Sequence, residues 1–155
     1  CKIAVLGGPA TSFPSRMRRL GAQDAMEDAG LVLDDKLYGL SNYDFESAYH
    51  AMNSLLARRA EFTALFAMSD VIAFGAIRAL VSAGLRVPED VSVIGFDGIT
   101  MSRYCVPVMT TIVQPSEQIA LQSIELLVRQ IEHGSPAQTV TLQPELQQGE
   151  SVRAI

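Results

Sequence analysis

Short apolar runs alternate along this chain with longer stretches in which apolar residues recur at helical spacing. The runs predict β-strands, and the stretches predict amphipathic α-helices. Predicted strands cover residues 2–6, 36–40, 64–68, 91–94 and 110–113. Predicted helices cover residues 15–29, 44–59, 71–82 and 116–133, the last with Ser116 as its N-cap, and two more extended pieces follow at 139–142 and 145–148.

The alternation of strands and helices indicates the fold class. Strands joined by helices of 12 residues or more form parallel βαβ units with right-handed crossovers. The apolar, β-branched strands VSVIGF and TALFAM suit a sheet that is buried on both faces. We therefore expect an α/β fold with a parallel sheet flanked by helices.

Polar residues follow several predicted strands, at the edge of the sheet where ligands collect in open α/β folds. They are Arg18, Tyr43, the pair Ser69 and Asp70, and Asp97. Each also has an ordinary structural interpretation. Either member of the pair could be a helix N-cap, Asp97 could belong to a turn, the tyrosine could be a packing aromatic, and the arginine could be a solvated charge. Four such positions on one predicted edge favour a binding site.

The residue types at this edge suit binding better than catalysis. An arginine and carboxylates can hold opposite edges of a small polar molecule while an aromatic ring covers an apolar face. The sequence contains no Ser-His-Asp order, no glycine-rich phosphate loop and no metal-type spacing of histidine and cysteine, and Cys1 and Cys105 are its only cysteines. We expect no cofactor and no metal. The net charge of −5 argues against a nucleic-acid surface on these residues.

Three blocks of sequence carry a family resemblance. They are KIAVLGG with SRMRRLGAQDAMEDAG, TALFAMSDVIAFGAIRALVSAGLRVPEDVSVIGFDG, and PVMTTIVQPSEQIALQSIELLVRQI. In this order they resemble the effector-binding domain of the LacI/GalR family of bacterial transcription regulators, a periplasmic-binding-protein-like (type I) fold. The resemblance implies a set of effector contacts in this chain. The set is Arg18, Tyr43, Ser69, Asp70, Asp97 and Gln114.

The resemblance also implies a domain organisation. The family's domain has two lobes with the effector between them, and residues 1–155 correspond to its C-terminal portion. Residues 1–109 and 138–155 would form the C-terminal lobe, and residues 110–137 would be a crossover strand and helix that pack on the N-terminal lobe. The N-terminal lobe and the DNA-binding helix-turn-helix are absent from this chain.

These expectations describe a cytoplasmic, non-enzymatic regulator that is a homodimer and binds a small, sugar-like effector. It would reach operator DNA only through the missing N-terminal domain and have no membrane contact. The resemblance places candidate dimer contacts at residues 73–78 and 100–106. Two alternatives remain at this point. One is a periplasmic sugar-binding receptor of the same fold, and the other is an α/β enzyme that uses Asp70 and Asp97 as a metal-binding or acid/base pair.

Overall fold

The computed structural model describes residues 2–134 and 136–154. Six strands and four long helices follow one another along the chain. The strands are β1 (Ile3–Gly7), β2 (Tyr38–Leu40), β3 (Ala64–Ala67), β4 (Ser92–Asp97), β5 (Thr110–Val113) and β6 (Glu145–Gln147). The helices are α1 (Phe13–Asp28), α2 (Phe45–Ala57), α3 (Asp70–Ser82) and α4 (Ser116–His133), with short 3₁₀ turns at Asp35–Leu37 and Thr100–Arg103. The predicted α/β class is confirmed.

The strands form one sheet in the order β2-β1-β3-β4-β5-β6. The first five are parallel, and only β6 runs antiparallel, against β5. The chain passes from β1 to β2 in one direction across the sheet and from β2 through β3 to β4 in the other. Right-handed crossovers therefore place α1 on one face of the sheet and α2 and α3 on the other. All carboxyl ends of the parallel strands therefore meet at one edge.

Helices α2 and α3 pack closely together on one face of the sheet. Gly75 of α3 allows the close approach, since a Cβ atom there would lie 2.5 Å from the Phe45 carbonyl oxygen and 2.8 Å from the Ala48 Cβ. Ala73 and Ala76 are also buried. The sequence-based proposal of dimer contacts at 73–78 therefore needs correction at these positions, because their side chains lie in the interior of this chain.

Several element boundaries differ from the predicted ones. Strand β4 extends three residues beyond its predicted end, to Asp97, because β5 continues to pair with it up to Val113. Residues 139–142 form no strand, and the last strand is β6 alone. Ser116 is not the N-cap of α4: that position is Pro115, which gives no side-chain hydrogen bond to the helix.

Helix α4 differs from the others because none of its residues is buried. The strand before it, β5, belongs to the sheet of this lobe and pairs with β4, so the segment 110–137 begins inside the sheet and then leaves it. Helix α4 ends at His133 with Gly134 as its C-cap, and the structure describes the segment again from residue 136. No helix among the described residues is long and apolar enough to cross a bilayer.

Candidate effector site

Arg18 and Asp97 form an ion pair at the carboxyl edge of the sheet. The Arg18 side chain reaches from α1, and its Nη2 lies 3.1 Å from Oδ1 of Asp97 at the end of β4. Nη1 donates to the Met68 carbonyl oxygen, and the guanidinium lies 3.8 Å from the centroid of the Phe96 ring. The two charged side chains are 16% and 26% exposed. Arg18 is thus held on three sides yet still reaches the surface.

Gln114 completes this cluster from β5. Its Nε2 donates to Oδ1 of Asp97 at 2.7 Å, and its backbone N–H donates to the Asp97 carbonyl oxygen at 3.2 Å. Arg18 and Gln114 both donate to Oδ1 of Asp97, so Oδ2 is the oxygen that remains for a hydrogen bond from a ligand. Asp97 itself has φ of 112°, a conformation that is unfavourable for a residue with a side chain.

The environment of Asp97 raises the pKa of its carboxyl group above the ordinary value. Burial is the main cause, because it disfavours the charged form. The positive charge of Arg18 and the Gln114 hydrogen bond act in the opposite direction, while the negative charge of Asp70 adds to the increase. A ligand that donates hydrogen bonds to Asp97 would favour the ionised form.

Tyr43 lies on the other side of the same edge. Its ring packs directly against the backbone of Gly8, where a Cβ atom would lie only 2.0 Å from the ring. Its φ is 61°, so its backbone is also in the left-handed region. The Tyr43 hydroxyl is buried and has no hydrogen-bond partner among the described residues. Buried polar groups of this kind are few in folded proteins.

A chain of contacts joins the Tyr43 side to the Arg18 side. The Ser15 hydroxyl donates to the Gly8 carbonyl oxygen at 3.1 Å and also contacts the Met68 sulfur at 3.7 Å. The Met68 carbonyl oxygen accepts from Arg18. The loop after β1 and the end of β3 therefore hold both parts of the edge in one rigid frame.

The side chains of Ser69 and Asp70 form hydrogen bonds in the interior of this chain. The Ser69 hydroxyl accepts from the Ile72 N–H at 3.1 Å, which makes Ser69 the N-cap of α3, as one sequence interpretation expected. Asp70 is 0% exposed, and its oxygens accept from the Thr111 hydroxyl and the Ile99 N–H. In this structure neither side chain opens onto the edge, so the six predicted contacts divide into four at the edge and two beneath it.

Two residues at the edge escaped the sequence-based prediction. The Phe96 ring supports the Arg18 guanidinium, and Met68 fixes one of its donors. Phe96 directly precedes Asp97 in the sequence, which was the available signal, whereas a backbone carbonyl such as that of Met68 leaves no signal at all. Phe96 and Gln114 also line a cavity of about 370 Å³ that extends along α4.

Metal-ligand geometry is not found in the described part of the chain. No group of three or more histidine, cysteine, aspartate or glutamate side chains lies close enough to hold an ion within residues 2–134 and 136–154. Asp70 and Asp97 each have their own hydrogen-bond donors. Cys105 is a free thiol, and Cys1 lies outside the described residues.

Known proteins share this arrangement of elements. A family model described as a periplasmic binding protein-like domain matches residues 1–152. The chain is 39% identical to the HTH-type transcriptional regulator MalR of Clostridium butyricum, over 84% of this chain and 39% of the relative. It is 37% identical to the HTH-type transcriptional repressor PurR of Haemophilus influenzae, over 99% of this chain and 47% of the relative.

A solved structure agrees with these matches. The complex of the transcriptional regulator CelR with cellobiose superposes with a TM-score of 0.92 at 33% identity, covering 97% of this chain and 46% of that one. This chain therefore spans less than half the length of each of these three proteins. The sheet order, the matched family model and these relatives together establish that the chain belongs to the periplasmic-binding-protein-like domain family, among the effector domains of LacI-family transcriptional regulators.

Proposed function

We propose that this chain is the C-terminal lobe of the effector-binding domain of a LacI-type transcriptional regulator and that it supplies half of the effector pocket. The observation that carries the proposal is the Arg18, Asp97 and Gln114 cluster at the carboxyl edge of the sheet. Three side chains from three separate elements converge there, and two residues of the same edge, Tyr43 and Asp97, have positive φ. Unfavourable backbone conformations of this kind concentrate at ligand sites.

The chemistry of the cluster suits a small neutral ligand with several hydroxyl groups. Arg18 and Asp97 neutralise each other, so a strongly charged ligand would have to break their ion pair. Oδ2 of Asp97 can accept from a hydroxyl, and the half-buried Tyr43 ring can cover an apolar face of the ligand. A sugar or a related metabolite has this pattern, and cellobiose occupies the related CelR structure.

The second half of the pocket would come from an N-terminal lobe. Helix α4 supports this part of the proposal, because its apolar side chains lie in solvent in this structure. Leu121, Ile124 and Ile131 are among the most exposed of them. Helix α4 would therefore pack on that lobe, and effector binding between the lobes would change their relative arrangement. A coupling of this type is worth about 1–3 kcal/mol.

Dimer formation and DNA binding complete the proposed function. LacI-family regulators bind small-molecule effectors and DNA and form dimers. For this chain we propose a homodimer that uses the exposed side chains of Met101, Tyr104 and Val106, and contact with operator DNA through a helix-turn-helix outside residues 1–155. Such a protein acts in the cytoplasm and is not an enzyme. The regulator relatives support this function over a periplasmic receptor or an enzyme based on Asp70 and Asp97.

A thermal-shift screen on the full-length protein tests the proposal. Sugars, sugar phosphates and nucleosides are added separately, and we expect one class to raise the melting temperature. The Arg18→Ala variant should lose that increase. Arg86→Ala is the matched control, because it also removes an arginine from an ion pair with an aspartate, Asp90, but on an exposed turn away from the edge. An identical ligand response in Arg18→Ala and the wild type would contradict the site.

A further inference from the structure

Asp70 is a fully buried carboxylate that joins three elements of the sheet edge. It is the first residue of α3. Its Oδ1 accepts from the Thr111 hydroxyl of β5 at 2.5 Å, and its Oδ2 accepts from the Ile99 N–H in the turn after β4 at 2.8 Å. A carboxylate is costly to bury unless donors satisfy both oxygens. The arrangement must therefore be maintained by the fold around it.

The turn that Asp70 holds is the one that aims Asp97. Asp97 and Gly98 have consecutive positive φ values, 112° and 70°. The positive φ is unfavourable for Asp97, which carries a side chain, whereas Gly98 adopts it without steric cost. One of the donors to Asp70 comes from this turn, the Ile99 N–H, and the backbone N–H groups of Gly98 and Phe96 partly offset the burial that raises the pKa of the Asp70 carboxyl group.

The sequence leaves a specific space for this carboxylate. Gly95 of β4 lies opposite Thr111 in the sheet, and a Cβ atom on Gly95 would lie 2.3 Å from Oδ1 of Asp70. Any side chain at position 95 would push the carboxylate away from Thr111. The glycine, the threonine and the aspartate thus form one unit beneath the binding edge.

We propose that Asp70 is a positioning residue that contacts no effector and that fixes the 97–99 turn so that Asp97 faces Arg18 and Gln114. The statement that Asp70 contacts no effector depends on the function proposed above, whereas its positioning role depends on the buried hydrogen bonds alone. Loss of the carboxylate leaves the Ile99 N–H without its acceptor and frees Asp97 to leave its unfavourable φ. The predicted consequence is local, at the edge of the sheet.

Hydrogen exchange of the full-length protein without added ligand tests this role. In Asp70→Ala we expect the amides of Gly98 and Ile99 to exchange at least about tenfold faster. The matched control is Ser69→Ala at the adjacent position, which removes the cap of α3. In that variant exchange should increase at Ile72 and stay unchanged in the turn.

A conservative variant separates positioning from general damage. In Asp70→Asn the side-chain oxygen can still accept from Ile99, and the amide can donate to the Thr111 hydroxyl, so most of the protection should return. A second readout follows Asp97 itself. Selective ¹⁵N labelling of glutamine shows the Gln114 side-chain amide, which donates to Asp97. Its signal should move in Asp70→Ala and stay in place in Ser69→Ala.

Unchanged exchange at Gly98 and Ile99 in a folded Asp70→Ala protein would overturn the inference. If Asp70→Ala does not fold, Thr111→Val decides instead, because it keeps the side-chain volume and removes one donor to Asp70. Faster exchange in the turn then supports the inference, and unchanged exchange overturns it. Because no effector is added, a failure of the proposed effector binding would not alter this result, so the two failures can be told apart.

Discussion

Helices α3 and α4 each follow a strand of the same sheet, and each has an amphipathic or apolar sequence. Helix α3 is nevertheless packed in the interior, whereas α4 is exposed. Seven of the thirteen residues of α3 are buried, against none of the eighteen in α4. The first helix starts with a side-chain cap from Ser69, and the second starts at Pro115 without one. Helix α3 finds its partner, α2, within this chain.

This contrast shows what an apolar stripe can and cannot predict. The apolar residues of α4 recur as regularly as those of a packed helix, yet they lie in solvent, and Leu127 and Val128 are half exposed. Periodicity indicates which side of a helix needs a partner, but it does not say which surface supplies one. In this chain α3 follows β3 and α4 follows β5, so a packed helix and an exposed one both begin at the edge that holds the proposed effector site.

The largest expected effect comes from removing the same side chain from each helix. Ile72 is completely buried in α3, whereas Ile124 of α4 is 62% exposed. Ile72→Ala should cost about 2–5 kcal/mol in the free energy of unfolding, because it leaves a cavity. Ile124→Ala should change that free energy by less than about 0.5 kcal/mol in this chain. Urea denaturation of both variants measures the difference.

The full-length protein sharpens that comparison. If α4 packs on an N-terminal lobe there, Ile124→Ala should destabilise the longer protein by clearly more than it destabilises this chain. Equal effects of Ile124→Ala in the two proteins would contradict the proposed packing of α4, while the result for Ile72→Ala should be similar in both.

A second prediction concerns how closely α3 approaches α2. Gly75→Ala should destabilise by about 1–3 kcal/mol, since its methyl group would meet the Phe45 carbonyl oxygen at 2.5 Å. Gly21→Ala in α1 is the control, because a Cβ atom there meets nothing within 4 Å. It should stabilise by about 0.5–1 kcal/mol through helix propensity. Thermal unfolding of the pair would disprove the close packing if both variants gained stability.

The third prediction compares the starts of the two helices. Ser69→Ala should cost about 0.5–2 kcal/mol, because the Ile72 N–H loses its capping partner in a buried place. Ser116→Ala should cost less than about 0.5 kcal/mol, since the Ser116 hydroxyl makes only a long bond to the Gln114 carbonyl oxygen at 3.4 Å. Similar losses in both variants would show that α4 has a side-chain cap after all.

The smallest effect is a dependence on pH. Burial raises the pKa of the Asp70 carboxyl above its ordinary 3.8, so the folded state binds its proton more tightly than the unfolded state. The contribution of Asp70 to stability therefore falls as the pH rises from about 4 through the raised pKa. Asp70→Asn does not titrate, and its unfolding free energy relative to the wild type should improve over that interval.

An exposed aspartate provides the control of opposite sign. Arg86 holds the pKa of the Asp90 carboxyl well below its usual range, so this ion pair stabilises the fold above about pH 4 and loses its effect as the pH falls through the lowered pKa. Asp90→Asn should therefore compare worse with the wild type at higher pH. Parallel pH trends in Asp70→Asn and Asp90→Asn would contradict the different environments of the two carboxylates.

Much of this fold could be predicted from the sequence, because local patterns determine it. The helices and the parallel strands follow from hydrophobic period and from turn residues. The extent of β4 could not be predicted in the same way, since it depends on pairing with β5, and the sequence does not show how far two strands stay in register. Residues 139–142 illustrate the same limit, because an extended pattern without a neighbouring strand forms no sheet.

The sequence predicted which residues lie at the carboxyl edge of the sheet, but not the direction in which their side chains point. Arg18, Tyr43 and Asp97 lie at the edge where the strand ends placed them, and Gln114, which only the family resemblance implied, lies beside Asp97. Asp70 also lies at a strand end, yet its side chain turns inward because Gly95 leaves space for it and Thr111 supplies a donor. Those two residues are on other strands, so the direction of an adjacent pair such as Ser69 and Asp70 depends on tertiary contacts that no local pattern contains.

The most direct test of the central claim is a double-mutant cycle on effector affinity in the full-length protein, with calorimetry and the ligand that the thermal-shift screen identifies. Arg18→Ala and Asp97→Asn should each weaken binding by about 10- to 100-fold, the loss of about 1.5–3 kcal/mol expected for a hydrogen bond to a charged group. Because the two side chains contact each other, the double variant should lose less than the sum of both. Affinity unchanged in both single variants would contradict the assignment of this edge as the effector site.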